Sequence, residues 1–195
     1  MTKYHVICQV GQGGSGKTVL CSSKGGAIFA VKLFLPQKST QYIESDRQRE
    51  DGEFLDLTKK VAKEEHERWL KLEPQYKHFC HHITLNRLQA ITMPFFPPVL
   101  FNKRETALAH IKKKLEKLAE KEKLYYDTSD LRWRHFGCRY TDKGEMDITL
   151  LDLGSLSNLG SLNKTETEKI IEDQLTELKE RMKSEETSEA KAVIV

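Results

Sequence analysis

Gly11-Gln-Gly-Gly-Ser-Gly-Lys-Thr-Val-Leu-Cys-Ser-Ser-Lys-Gly-Gly-Ala-Ile-Phe-Ala-Val-Lys-Leu-Phe34 is the stretch on which the fold turns. Its opening, Gly11 to Thr18, satisfies two phosphate-binding patterns from unrelated architectures, GxxxxGK[ST] and GxGxxG. Both imply a polyphosphate, because glycines let backbone N–H groups approach an anion with no Cβ in the way. They differ over the chain beyond the glycines. The first requires a helix opening at Lys17, with that lysine on the terminal phosphates. The residues present read otherwise: Thr18–Ser23 is rich in β-branched and small polar side chains, Lys24-Gly25-Gly26 is a turn signal, and Ala27–Phe34 is a second apolar run. With Tyr4–Val10 in front, the order is strand, glycine loop, strand, hairpin turn, strand, and Lys32 lies inside the third strand.

Composition narrows the setting. A chain of 195 residues suffices for one domain with a proper core or for a compact two-lobed unit. Lys and Arg total 32 against 29 Asp and Glu, so a net charge of +3 carries no signature of a nucleic-acid or membrane partner. Four cysteines, Cys8, Cys21, Cys80 and Cys138, are too widely spaced for a disulfide scaffold or a paired-cysteine metal site and point to a reducing compartment. Neither a signal peptide nor a bilayer-spanning apolar run is visible, so an intracellular location, cytoplasm or nucleus, is expected.

Further along, residues 36–60 are polar and read as a loop or insertion with a helical end. Thr58–Leu72 reads as a helix with Val61, Ala62, Trp69, Leu70 and Leu72 as its apolar members, stopped by Pro74. Ile83–Leu85 and Ala90–Met93 read as two short strands completing a five-stranded sheet, and Pro94-Phe-Phe-Pro-Pro98 is a rigid exit. Arg104–Tyr126 shows helical spacing, a hairpin is expected around Asp142-Lys143-Gly144, and residues 164–183 read as a last amphipathic helix. Residues 184–195 read as a disordered tail. Two clusters take bland readings. His78-Phe-Cys-His-His82 lacks the partner pair that zinc requires, and the lysines of 112–123 alternate with glutamates as on an exposed helix face.

Phe29-Ala30-Val31-Lys32, the glycine loop before it, Asp130-Leu-Arg-Trp-Arg-His135 and Asp152-Leu153-Gly154 together resemble the motif order of protein kinases, over about residues 4–154. More narrowly, the tryptophan-containing loop resembles that of the reduced kinase-like proteins related to the Crinkler effectors. The resemblance implies an α+β, two-lobed fold: a five-stranded antiparallel N-lobe over residues 1–98, and a truncated, mostly helical C-lobe over 99–183. It implies ATP and Mg²⁺ as ligands and phosphoryl transfer to a Ser/Thr or small-molecule hydroxyl. Gly11, Gly13, Gly14 and Gly16 would cover the nucleotide, Met93 would line it at the hinge, and Lys32 would meet the α- and β-phosphates. A lysine buried in a strand needs a carboxylate to stay charged. Glu65 is the expected partner, since Trp69 projects from the same helical face four residues on, and Glu64 is the alternative.

Asp130 would orient the attacking hydroxyl, and Asp152, 22 residues further, would bind Mg²⁺. The family pattern also assigns the place of His135 to a second Mg²⁺ ligand. Here the chain departs from it, with His135 for Asn and Thr128 for His, and imidazole is a poor ligand for a hard cation. Only 41 residues come after Gly154 and no Ala-Pro-Glu appears among them, which predicts a reduced C-lobe and leaves a protein substrate or a partner protein open. Two further readings stand beside the phosphotransferase. One is a pseudokinase that binds nucleotide without turnover. The other is a P-loop NTPase in which Lys17 and Thr18 act, with Asp152 ending an apolar strand.

Overall fold

The computed structural model describes residues 5–13, 16–35 and 50–192. The chain is mixed α+β and divides into two compact units, Met1–Phe95 and Phe96–Val195.

The first unit is built on a five-stranded, wholly antiparallel sheet. Strands β1 (His5–Gly13), β2 (Gly16–Ser22) and β3 (Ile28–Phe34) precede helix α1 (Glu50–Leu72), and β4 (His81–Leu85) and β5 (Leu88–Pro94) come after it. Their order across the sheet is β1-β2-β3-β5-β4. The connections have local causes. Gly26 takes φ 80 in the β2–β3 turn, where Ser23 and Ala27 bond across the hairpin. Asn86 and Arg87 both take positive φ between β4 and β5, as a two-residue turn matched to strand twist requires. The strand period of two puts Ala30, Lys32 and Phe34 together on one face of β3. Val31, on the other face, joins Cys21 and Ala90 in a small core. Helix α1 packs on β5 and β4, burying Ala62, Glu65 and Trp69 along one stripe. It begins earlier than the apolar period indicated, at Glu50; the polar residues 36–49 lie outside the described residues.

The second unit begins where Phe96 packs against Gly137, Pro97 accepts a bond from the Cys138 amide at 2.9 Å and Pro98 bridges Gly137. Those contacts set the boundary after Phe95 rather than after Pro98. Helix α2 (Arg104–Lys117) buries Ala107, Leu108, Ile111 and Leu115. It does not run to Tyr126 as its spacing suggested. A π-helical turn over Leu118–Glu122 ends in left-handed Lys123, and Leu124–Tyr126 forms strand β6. Pairing explains the switch: β6 lies antiparallel to β9 (Leu156–Asn158), a three-residue strand too short to show apolar alternation. Strands β7 (Phe136–Tyr140) and β8 (Met146–Leu150) form the expected hairpin, with Gly144 at φ 77 in its turn.

Helix α3 (Lys164–Ala192) buries Ile171, Gln174, Leu175 and Leu178. An Asn163–Glu166 capping box starts it, each backbone N–H meeting the other's side chain. The tail expected to be disordered from residue 184 is instead helical to Ala192, and residues 193–195 lie outside the described residues. Ser184–Ala192 contains strong helix formers and no glycine or proline to end the helix. Among the described residues no helix is long and apolar enough to cross a membrane.

Candidate functional site

In the first unit, Lys32 is only 7% exposed and its Nζ reaches both carboxylate oxygens of Glu65, at 2.9 and 2.8 Å. Sheet and helix periodicity meet here: the inward face of β3 presents the ammonium, and the Ala62–Glu65–Trp69 stripe of α1 presents the carboxylate. Glu64, one residue earlier, points to solvent. Two charges taken out of water persist only when paired, so each residue holds the other ionised. The ammonium also sits 5.4 Å from the Phe34 ring centre. The field of Glu65 reaches Cys80, whose thiol is pushed up to about 12, chiefly by burial and then by that carboxylate.

The glycine segment is a hairpin. Gly11 faces Thr18, Gln12 faces Lys17 and Gly13 faces Gly16. No helix opens at Lys17, which sits in a strand between Gln12 and Leu33, so the helix-opening phosphate loop is not formed. The glycines are not equivalent. A Cβ on Gly16 would lie 1.9 Å from the Leu33 carbonyl oxygen, so its lack of a side chain is demanded by β3. A Cβ on Gly11 would meet nothing closer than Thr18 Cβ at 3.9 Å, so the sheet does not require glycine there. Gly14 lies outside the described residues. Met93 is buried on β5 opposite Ala30, one residue before the strand ends.

In the second unit, the segment after β6 makes a tight turn. The Asp127 carboxylate accepts from the Ser129 hydroxyl and amide, bonds that hold its carboxyl below the usual range. Leu131 is buried and anchors the turn, while Asp130 stands exposed and Thr128 half-buried. Trp133 is driven inward and its indole N–H donates to the Leu178 carbonyl on α3 at 3.1 Å. His135 is 1% exposed and stacks on Tyr126, ring centres 5.5 Å apart. Burial holds the imidazole below its ordinary pKa of 6.5, against an upward pull from the Asp152 and Asp130 carboxylates.

Asp152 closes the group, its Oδ2 3.7 Å from His135 Nε2. The backbone of Asp152 is left-handed, at φ 52 and ψ 51, a conformation that costs a residue with a Cβ about 1–2 kcal/mol. Ser155 steadies it by donating from N and Oγ to the Asp152 carbonyl.

Sequence reasoning missed Tyr126 and Gln174. Tyr126 donates its hydroxyl to the Leu151 carbonyl at 2.6 Å, and buried Gln174 donates to the Tyr126 carbonyl at 2.5 Å. Two adjacent aromatics, Tyr125 and Tyr126, were the available sign of a strand.

Asp152 is an oxygen donor suited to a hard cation such as Mg²⁺, which is held through one or two carboxylates together with substrate phosphates. His135 fits less well, being a nitrogen donor on a ring closed from solvent. Among the described residues no group of three or more His, Cys, Asp or Glu side chains could hold a metal ion, and this includes the histidines at 78–82. No protein-family model matches the chain, and no curated protein matches it.

Proposed function

We propose that the chain is a protein-kinase-like, ATP-binding protein that transfers the γ-phosphoryl group to a Ser/Thr or small-molecule hydroxyl, with the two units acting as the reduced lobes of that fold. One observation carries this reading: the buried ion pair between Lys32 on β3 and Glu65 on α1, in the sheet whose first hairpin is Gly11–Thr18. Such a pair stabilises folding little compared with an apolar replacement, so its presence favours a use for the ammonium.

In that use Lys32 takes oxygens of the α- and β-phosphates, and Glu65 keeps it charged and aimed. The amides of the glycine hairpin would offer N–H donors to phosphate oxygens. Mg²⁺ would supply neutralisation of the phosphate charge that develops during transfer. Asp152 offers carboxylate oxygens to that cation. Asp130 accepts the hydroxyl proton as the new O–P bond forms and the bond to the β-phosphate oxygen breaks, leaving ADP.

Phosphate transfer from Mg²⁺-ATP to a mixed peptide and small-alcohol panel tests the reading. Lys32→Ala and Asp152→Ala should each lower the rate by at least ~10²-fold, while Lys17→Ala should remain active; undiminished transfer in both of the first two variants sinks it. A second reading, nucleotide binding without turnover, draws support from the closed-in His135. It predicts that ATP raises the melting temperature of wild type with no phosphate transferred or released.

A further inference from the structure

His135 carries an unpaid polar debt. Neither ring nitrogen makes a hydrogen bond, although the ring is 1% exposed. A buried polar group left unsatisfied is destabilising, and such groups in native proteins call for an explanation. The acceptor facing Nε2 is Asp152 Oδ2 at 3.7 Å, a fraction of an ångström beyond bonding distance. Polar contacts of this kind are commonly long before a ligand arrives and shorten when it does.

The surroundings fix both partners of that contact. Tyr126 stacks on the imidazole with 24° between the planes. The Tyr126 hydroxyl holds the Leu151 carbonyl, and the Leu151 amide donates to the His135 carbonyl at 2.7 Å, so the residue before Asp152 is gripped from both sides. A carboxylate has about four lone-pair sites and can accept from an imidazole while ligating a cation.

We infer that His135 is a positioning residue rather than a metal ligand, donating from Nε2 to Asp152 Oδ2 and so presenting that carboxylate to the divalent cation that accompanies the nucleotide. The inference rests on the proposed nucleotide–cation site and says how its cation is held. Metal-ligating carboxylates usually carry such an outer partner, and losing one weakens metal binding roughly 10–100-fold.

The test titrates Mn²⁺ into the full chain saturated with β,γ-methylene ATP and monitors free and bound Mn²⁺ by electron paramagnetic resonance. His135→Phe keeps a ring on Tyr126 and removes the donor; His135→Gln keeps an amide donor near the Nε2 position and removes the ring. Positioning predicts Mn²⁺ affinity ~10–100-fold weaker for His135→Phe, near wild type for His135→Gln, and no directly coordinated nitrogen in the wild-type electron spin echo spectrum. A packing role predicts the reverse order of the two variants and overturns the inference. A directly bound ¹⁴N signal, absent in His135→Phe, overturns it in favour of ligation. Wild type that binds no Mn²⁺ with the analogue defeats the underlying nucleotide–cation site as well, which distinguishes the two failures.

Discussion

At the scale of single residues, Lys32 and Glu65 depend on each other because both charges are buried. Removing either member strands a charge at 7% or 1% exposure, so Lys32→Met or Glu65→Leu should each destabilise the protein by about 3–5 kcal/mol in urea denaturation. The double variant Lys32→Met/Glu65→Leu leaves no charge behind and should recover most of that loss. If the double variant were as unstable as the sum of the singles, the pair would not be an isolated ionic unit. The glycines divide by what a Cβ would meet. Gly16→Ala, with its Cβ 1.9 Å from a carbonyl oxygen, should destabilise by roughly 1–3 kcal/mol. Gly11→Ala should stay within about 1 kcal/mol, and equal melting temperatures for the two would contradict the hairpin register.

At the scale of elements, local chemistry and pairing contribute unequally. The β1–β2–β3 order was legible because Lys24-Gly25-Gly26 and the β-branched runs around it determine a hairpin within a short segment. Glu65 was legible for a related reason, since one helical stripe carries it with Trp69. The end of α2 was not. Leu118 and Leu124 continue the helical spacing, but the backbone switches at Lys123 because β6 gains its partners from β9, a distant segment. Helix α3 reaches into the same region through Gln174, which is 1% exposed and donates to the Tyr126 carbonyl. Gln174→Leu should therefore lower stability by about 1–3 kcal/mol, and hydrogen exchange at the β6 and β9 amides should speed up. Exchange that rises only within α3 would separate the helix from the strand pair.

For the molecule as a whole, Cys80 makes stability depend on alkaline pH. Its folded thiol stands at about 12 against an ordinary 9.0, so the unfolded chain releases its proton first as pH rises. The stabilisation is complete below about pH 9 and is lost as pH climbs toward 12. Chemical denaturation of Cys80→Ala should show a shallower decline across that window than wild type, and parallel curves would refute the linkage. The cause is legible only in three dimensions. Nothing in His78-Phe-Cys-His-His82 announces that its cysteine lies in the field of a carboxylate fifteen positions earlier, at Glu65.

The left-handed backbone of Asp152 sets folding and use against each other. Glycine adopts φ 52 without the penalty that a Cβ brings. In a library randomised at position 152 and sorted only for resistance to heat or protease, glycine should therefore be enriched over aspartate. The same library sorted for Mn²⁺ or nucleotide retention should return aspartate. Divergence between the two sortings would make residue 152 a position where the chain forgoes stability for ligand binding.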